Sequence, residues 1–176
     1  MQKKYKTIYA DPPWWETGGG KIKRGADRHY PLMKTVDICT LQVNGEHVSH
    51  LAEDNAHLYL WTTNNFLSDA LRVMDHWGFE YKTMITWVKE GRPGLGQYYR
   101  GLTEHCLFGV RGVLPYRQTS EGKRAQGITA FTAPRGEHSE KPEEMRRMIE
   151  RVSAGPYIEL FARREAPGWD VWGNEV

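Results

Sequence analysis

The sequence predicts an α/β layer fold built on a largely parallel β-sheet, and three observations carry that prediction. Strand-like apolar runs alternate along the chain with segments of helical period. Two of the runs, His57-Leu-Tyr-Leu-Trp-Thr62 and Tyr157-Ile-Glu-Leu-Phe-Ala162, read as strands buried in such a sheet. The first run, Thr7–Ala10, ends abruptly at polar and proline residues, and ligands of α/β sheets sit beyond the carboxyl ends of the strands.

Taken in order, Thr7–Ala10 is a strand that must stop at Asp11-Pro-Pro-Trp14, because proline has no N–H and fixes its own φ. Trp15 to Tyr30 reads as a long loop holding Gly18-Gly-Gly20 and the basic residues Lys21, Lys23, Arg24 and Arg28; a loop of that length in a compact domain is usually functional or disordered. Thr35–Leu41 is a short helix. After the His57–Thr62 strand, Asn64 is an N-cap candidate for a helix reaching about His76, with Phe66, Leu67, Ala70, Leu71 and Met74 at helical spacing and Gly78 as its stop. Phe79–Val88 and Glu104–Val110 are strands, and the polar, Gly-rich stretch 112–136 is a second long loop. Pro142 opens a helix with Glu143 and Glu144 at its positive end and Met145, Met148, Ile149 and Val152 on one stripe. Gly155-Pro156 stops it, and the Tyr157–Ala162 and Trp169–Trp172 strands follow.

The bulk numbers suit one domain over 1–176. A chain of 176 residues supports one sizeable core and not two. With 39% hydrophobic and 26% charged residues the composition is that of a globular protein. Seven Trp and nine Tyr are more aromatic surface than a core of this size demands, and the excess suits a protein that stacks on flat ligands. A formal net charge of +2 neither announces nor excludes nucleic acid, so any such contact rests on local patches at Lys21–Arg28 and Arg111–Arg124. Cys39 and Cys106 form no CxxC or Cys/His spacing, so no metal site and no structural disulfide is expected. With no long apolar run and no secretory signal pattern, a cytoplasmic setting without membrane contact is expected.

The chemistry concentrates at Asp11-Pro-Pro-Trp14. A carboxylate beside a rigid backbone carbonyl suits an aromatic amine, a weak nucleophile because its lone pair is delocalised into the ring. Hydrogen bonds accepted from its N–H groups localise that pair and aim it. Asp11 offers a carboxylate and Pro12 a backbone carbonyl, while Pro12 and Pro13 hold the chain still; reacting atoms must be placed about 3–3.5 Å apart. Trp14 offers a face for a flat base, worth about 1–3 kcal/mol. Taken alone, the four residues favour a plain turn closed by a core tryptophan. Likewise Lys141 alone reads as a solvated helix-start charge, and Glu175 as a frayed terminus.

The ordered set of motifs is more specific than any one. Asp11-Pro-Pro-Trp14 is followed by His29-Tyr-Pro-Leu-Met33, Trp61-Thr62, Trp87-Val-Lys89, Gly94-Leu-Gly96 and Tyr99-Arg100. Then come Glu104-His-Cys-Leu-Phe-Gly109, His138-Ser-Glu-Lys-Pro142, Ile158-Glu-Leu-Phe-Ala-Arg163 and Gly173-Asn174. From about Tyr5 to Glu175 this series resembles the MT-A70-like family of S-adenosylmethionine-dependent adenine-N6 methyltransferases. The resemblance implies a single-domain Rossmann-like class I methyltransferase fold with permuted motif order, the catalytic motif first and the cofactor strand last. No GxGxxG is present, as that order requires.

Carried over residue by residue, the resemblance makes Asp11, Pro12, Pro13 and Trp14 catalytic. Asp11 meets both the target amine and the methionine amino group of S-adenosylmethionine. Lys141 neutralises the methionine carboxylate beside a helix start. Phe161 forms an apolar wall, and Arg163, Asn174 and Glu175 surround the ribose. On the substrate side, Trp14, Lys21, Lys23, Arg24, Arg28, His29 and Tyr30 face nucleic acid, with the His29–Tyr30 loop closing over the site. His105 reads as structural, and His138 as a cap or packing residue. DNA is the preferred substrate over RNA. A catalytically silent nucleic-acid-binding partner subunit is the alternative, and a homodimer or a partner subunit stays open. The sequence shows no separate target-recognition module.

Overall fold

The computed structural model describes residues 2–15, 31–137 and 140–176. Its main sheet has seven strands: β1 (Tyr5–Ala10), β4 (Ala52–Thr62), β5 (Glu80–Lys89), β6 (Thr103–Arg111), β7 (Ala130–Ala133), β8 (Tyr157–Leu160) and β9 (Trp169–Trp172). They lie in the order β7-β5-β6-β4-β1-β8-β9. β1 pairs in parallel with β4 on one side and β8 on the other; β8–β9 and β5–β7 are also parallel. Only β6 runs against its neighbours. Its first residues therefore share an edge of the sheet with the last residues of the other strands. That edge is where β1 ends just before Asp11, β5 ends in Lys89 and β8 in Leu160, and where β6 begins at Thr103.

Strand alternation divides the core between the two faces. Ile8 and Ala10 of β1 and Leu58 and Leu60 of β4 meet helices α1 (Thr35–Cys39) and α3 (Leu67–His76) through Ile38, Ala70, Val73 and Met74. The intervening Tyr9, Tyr59 and Trp61 point to the opposite face, against Met145 and Ile149 of α4 (Glu143–Val152). Covering both faces is what makes the central strands nearly continuous in apolar residues.

Several local expectations are corrected. Asn64 does not cap α3. It opens a 3₁₀ turn, Asn64–Phe66, and α3 starts at Leu67 behind Phe66. The Asn64 amide is instead drawn across to β6, with Oδ1 2.6 Å from His105 Nε2. Pro142 occupies the N-cap of α4 and not its first turn. The stretch 112–136 contains β7, added in parallel to β5. β4 begins at Ala52, earlier than its apolar run suggests, after a two-strand ribbon, β2 (Gln42–Val43) and β3 (Glu46–His47), and the short helix α2 (Val48–Leu51). Asn44-Gly45, both at positive φ (52° and 86°), form the two-residue turn of that ribbon.

The tryptophans are core residues to a greater degree than their number suggests. Trp61, Trp77 and Trp87 are fully buried, and each donates its indole N–H: to Tyr9 Oη, the Ile38 carbonyl and the Ala133 carbonyl respectively. A buried indole needs such a partner. Most of the aromatic excess thus builds the two hydrophobic layers.

Candidate active site

The site grows from the end of β1. The Asp11 N–H makes the last rung toward β8, to the Leu160 carbonyl at 3.5 Å. Two prolines without N–H then end the ladder. The chain turns tightly, with Trp14 N–H donating to the Pro12 carbonyl (3.0 Å) and Met33 N–H to the Pro13 carbonyl (2.8 Å). The Pro12 carbonyl keeps a second lone pair for a ligand donor.

Trp14 is the correction here. Its indole N–H donates to the Trp61 carbonyl at 3.1 Å, its ring stacks on Phe66 at 5.8 Å, and the residue is 7% exposed. In this conformation it is a core tryptophan closing the turn and offers no open face to a base. Apolar packing on the α1/α3 side wins over exposure.

Beside Asp11 stands a chain of alternating charge. Lys141 Nζ lies 3.2 Å from Asp11 Oδ2 and 3.2 Å from Glu104 Oε1, and Lys89 Nζ lies 2.8 Å from Glu104 Oε2. The two ammonium groups rest over indole rings, Lys141 over Trp61 at 5.6 Å and Lys89 over Trp87 at 5.1 Å. Burial pushes the Asp11 carboxyl above the usual carboxylate range; Lys141 opposes this and Glu104 adds to it. Burial raises Glu104 too, but its two lysines outweigh that and hold it below its ordinary value. Lys141 is raised, since the attraction of Asp11 and Glu104 exceeds the effect of burial. The lysine is therefore firmly charged, and Asp11 is the softer of the two acids.

A cavity opens from Asp11 toward α4 and the end of β8. Lys141, Phe161 and Arg163 line it with Asp11, which places four of the six expected cofactor residues together. Phe161 sits at φ 61°, a left-handed conformation rare for a side chain of its size, and meets Trp172 edge-on at 5.5 Å. Asn174 and Glu175 lie beyond β9, exposed, and are not part of this lining. The expected residues Lys21, Lys23, Arg24, Arg28, His29, Tyr30 and His138 lie outside the described residues.

The structure brings further residues to the site. Glu104 and Lys89 sat inside quoted motifs without a role of their own. Glu159 lines the cavity at the second-last position of β8, and Arg146 of α4 donates to its Oε2 at 2.6 Å. A charge at an interior position of an apolar strand was the available signal for Glu104 and Glu159. Among the lining residues, four acids face four bases. That mixture offers cations for a carboxylate and carboxylates for an ammonium and a sulfonium, the charged groups of S-adenosylmethionine.

The second basic patch is also revised. Arg111 is turned inward, donating from its guanidinium to the carbonyls of Ser49, Trp77 and Gly78. Arg117 donates to the Glu150 carbonyl, and Lys123 pairs with Glu121 at 3.0 Å. Arg111 and Arg117 thus tie the stretch to the body of the protein, while the Lys123–Glu121 pair lies within it.

A nearly parallel sheet, an acidic strand-end turn and an adjoining cavity lined by both signs of charge suit a Rossmann-like methyltransferase, whose ligands sit beyond the carboxyl ends of the strands. The chain belongs to the MT-A70 family, whose model matches residues 5–175. It is 32% identical over 196 residues to the type II methyltransferase M.MunI of a Mycoplasma species, covering 99% of this chain and 79% of that protein. It is 30% identical over 192 residues to the human N6-adenosine-methyltransferase catalytic subunit METTL3, covering 98% of this chain and 28% of that protein. With the RNA methyltransferase MTA1 of Cryphonectria parasitica it shares 28% identity over 187 residues, 98% of this chain and 52% of that protein. The chain thus spans most of one relative and about half or less of the other two. The expected family, fold class, cofactor and reaction type stand: the protein is an S-adenosylmethionine-dependent methyltransferase of the adenine-N6 kind.

Proposed function

We propose that the protein methylates adenine N6 in DNA. The observation that supports methyl transfer is the contact between Asp11, at the end of β1, and Lys141, before α4, which suits an acceptor for the target amine beside a cation for the cofactor's carboxylate. S-adenosylmethionine supplies the methyl group on a cationic sulfonium. Asp11 and the Pro12 carbonyl accept hydrogen bonds from the amine and so direct its lone pair. With the cofactor bound, the Asp11 carboxylate would face the amine nitrogen as it gains positive charge on taking up the methyl group. The amine's proton leaves after transfer, so Asp11 need not be a strong base.

DNA is favoured over RNA because the relative matched over most of its own length is a type II methyltransferase. The RNA-directed relatives are matched over only part of theirs. The intact Asp11–Lys141 pair favours an active enzyme over a silent partner subunit. We also propose a cytoplasmic setting, which suits the free, buried Cys39 and Cys106, and self-association or a partner subunit to complete nucleic-acid contact. Among the described residues no helix is long and apolar enough to cross a membrane.

The test is incubation with labelled S-adenosylmethionine and matched single- and double-stranded DNA and RNA oligonucleotides, followed by digestion and identification of the modified nucleoside. N6-methyl-deoxyadenosine is the expected product. Label only in RNA overturns the choice of DNA, and label in neither overturns the enzyme reading of the isolated chain.

A further inference from the structure

Arg146 is 7% exposed, yet most of its guanidinium is unsatisfied. Nη2 donates to Glu159 Oε2 at 2.6 Å. Nε stands 3.4 Å from Glu143 Oε1, an ion-pair distance without a hydrogen bond. Nε and Nη1 are both buried with no hydrogen-bond partner among the described residues. The cation lies 5.4 Å from the Trp169 ring centre.

For stability alone this is a poor use of a side chain. A buried ion pair stabilises little, and an apolar replacement of similar volume is often neutral or better; each unsatisfied buried donor adds a cost of its own. What Arg146 does accomplish is to fix one carboxylate. Glu159 lies in register with Tyr9 of β1 and Val171 of β9, and it lines the same cavity as Asp11 and Lys141.

We propose that Arg146 is a positioning residue that presents Glu159 as a fixed, ionised acceptor to hydroxyl or ammonium donors of the bound cofactor. This rests on S-adenosylmethionine occupying the cavity and is independent of which nucleic acid is methylated.

Charge around Glu159 makes the arginine necessary. Burial, chiefly, pushes the Glu159 carboxyl up to about 7, with Asp11 and Glu143 adding to the rise and Arg146 opposing it. The groups facing it are Arg146 and Glu143 from α4, Tyr9 and Asp11 from β1 and its end, and Arg163 and Arg164 beyond β8. Lys141 and Glu140 line the approach to α4, while Val171 of β9 carries no charge. Arg146 alone among the cations is in direct contact with Glu159 in the described structure. Without it, the cation that opposes this rise is lost, and Glu159 is held further toward its protonated form, a donor where an acceptor is needed.

The test measures the affinity of the whole protein for S-adenosylhomocysteine by calorimetry between pH 6 and pH 9, for the wild type, Arg146→Met and Arg146→Lys. Wild-type binding should strengthen as pH rises through about 7, where Glu159 ionises. Arg146→Met should bind about tenfold more weakly at pH 7 and shift that midpoint upward, and Arg146→Lys should restore most of both. A folded Arg146→Met protein with unchanged binding, or with the same loss at every pH, overturns the proposal. If Arg146→Met does not fold, Glu159→Gln takes its place: it should weaken binding by a similar factor and flatten the pH dependence, and a wild-type profile overturns the proposal equally.

Discussion

Lys141 Nζ lies 3.2 Å from Asp11 Oδ2, so under the proposed roles the cation for the cofactor's carboxylate also faces the carboxylate for the adenine amine. The two halves of the reaction are thereby coupled through one ammonium group.

Lys141→Met separates them. Loss of a charge-assisted contact should weaken S-adenosylmethionine binding by about 1.5–3 kcal/mol, measured by calorimetry. It should also change the pH profile. The Asp11 carboxyl is raised by burial, and Lys141 is the strongest influence opposing that rise. Removing the lysine raises it further, so the acid limb of kcat/KM should move to higher pH. An acid limb that stays in place would show that Asp11 does not work as the ionised group.

Trp14→Ala is expected to act on the fold. The ring stacks on Phe66, its N–H satisfies the Trp61 carbonyl, and it is nearly fully buried. Truncation should cost about 3–5 kcal/mol in chemical denaturation, with Trp14→Phe costing less. If Trp14→Ala keeps its stability and loses only nucleic-acid binding, the ring must swing out to stack on a base as its position in the motif suggested.

These two residues mark how far the sequence can be read. The position of Asp11 was legible because two prolines end a strand for a reason that needs no context. The resemblance then located Lys141, Phe161 and Arg163, and the structure brings all three to one cavity with Asp11. The side chain of Trp14 was not legible, because exposure of an aromatic at a strand end depends on what packs over it, here Phe66 from a turn far along the chain. Nor was the role of Glu104. It reaches the site only because β6 is antiparallel, which puts its beginning beside the ends of the parallel strands. β7 escaped notice because Ala130-Phe-Thr-Ala133 is too short and weakly apolar to stand out from its polar surroundings.

Stability should depend on pH through His57. The ring is 4% exposed, its Nδ1 lies 2.6 Å from Ser153 Oγ, and Tyr59 Oη meets the same hydroxyl at 2.8 Å. Burial holds the folded-state pKa below the ordinary 6.5. Between the lowered value and 6.5 the unfolded chain binds more protons than the fold, so this contribution to stability is full above 6.5 and is lost as pH falls below it. Glu159, raised to about 7 by burial, works in the opposite sense between its ordinary 4.5 and 7. The measurement is therefore a difference, wild type minus His57→Gln, in urea denaturation from pH 5 to pH 8. A difference that does not vary with pH would exclude His57 as a source.

Asp11→Asn tests the chemistry itself. The backbone rung from Asp11 N–H to the Leu160 carbonyl survives the change, and Lys141 keeps Glu104 as its second partner, so the fold should stand. The amide has nearly the size of the carboxylate but carries no charge, and it offers an N–H₂ group that can face the target amine with donor against donor. Two effects then vanish together: alignment of the lone pair, and a negative charge opposite the nitrogen as it becomes positive. Losing a preorganised electrostatic partner of this kind costs on the order of 10²–10³ in the rate of the chemical step. Single-turnover methylation with saturating S-adenosylmethionine should show that loss. Cofactor affinity should change less than turnover, because Lys141 remains for the methionine carboxylate and only the charge of the expected Asp11 contact to the methionine amino group is lost. A folded Asp11→Asn protein that forms N6-methyladenine at a near-normal rate would remove Asp11 from the mechanism and leave the Pro12 carbonyl as the sole acceptor for the amine.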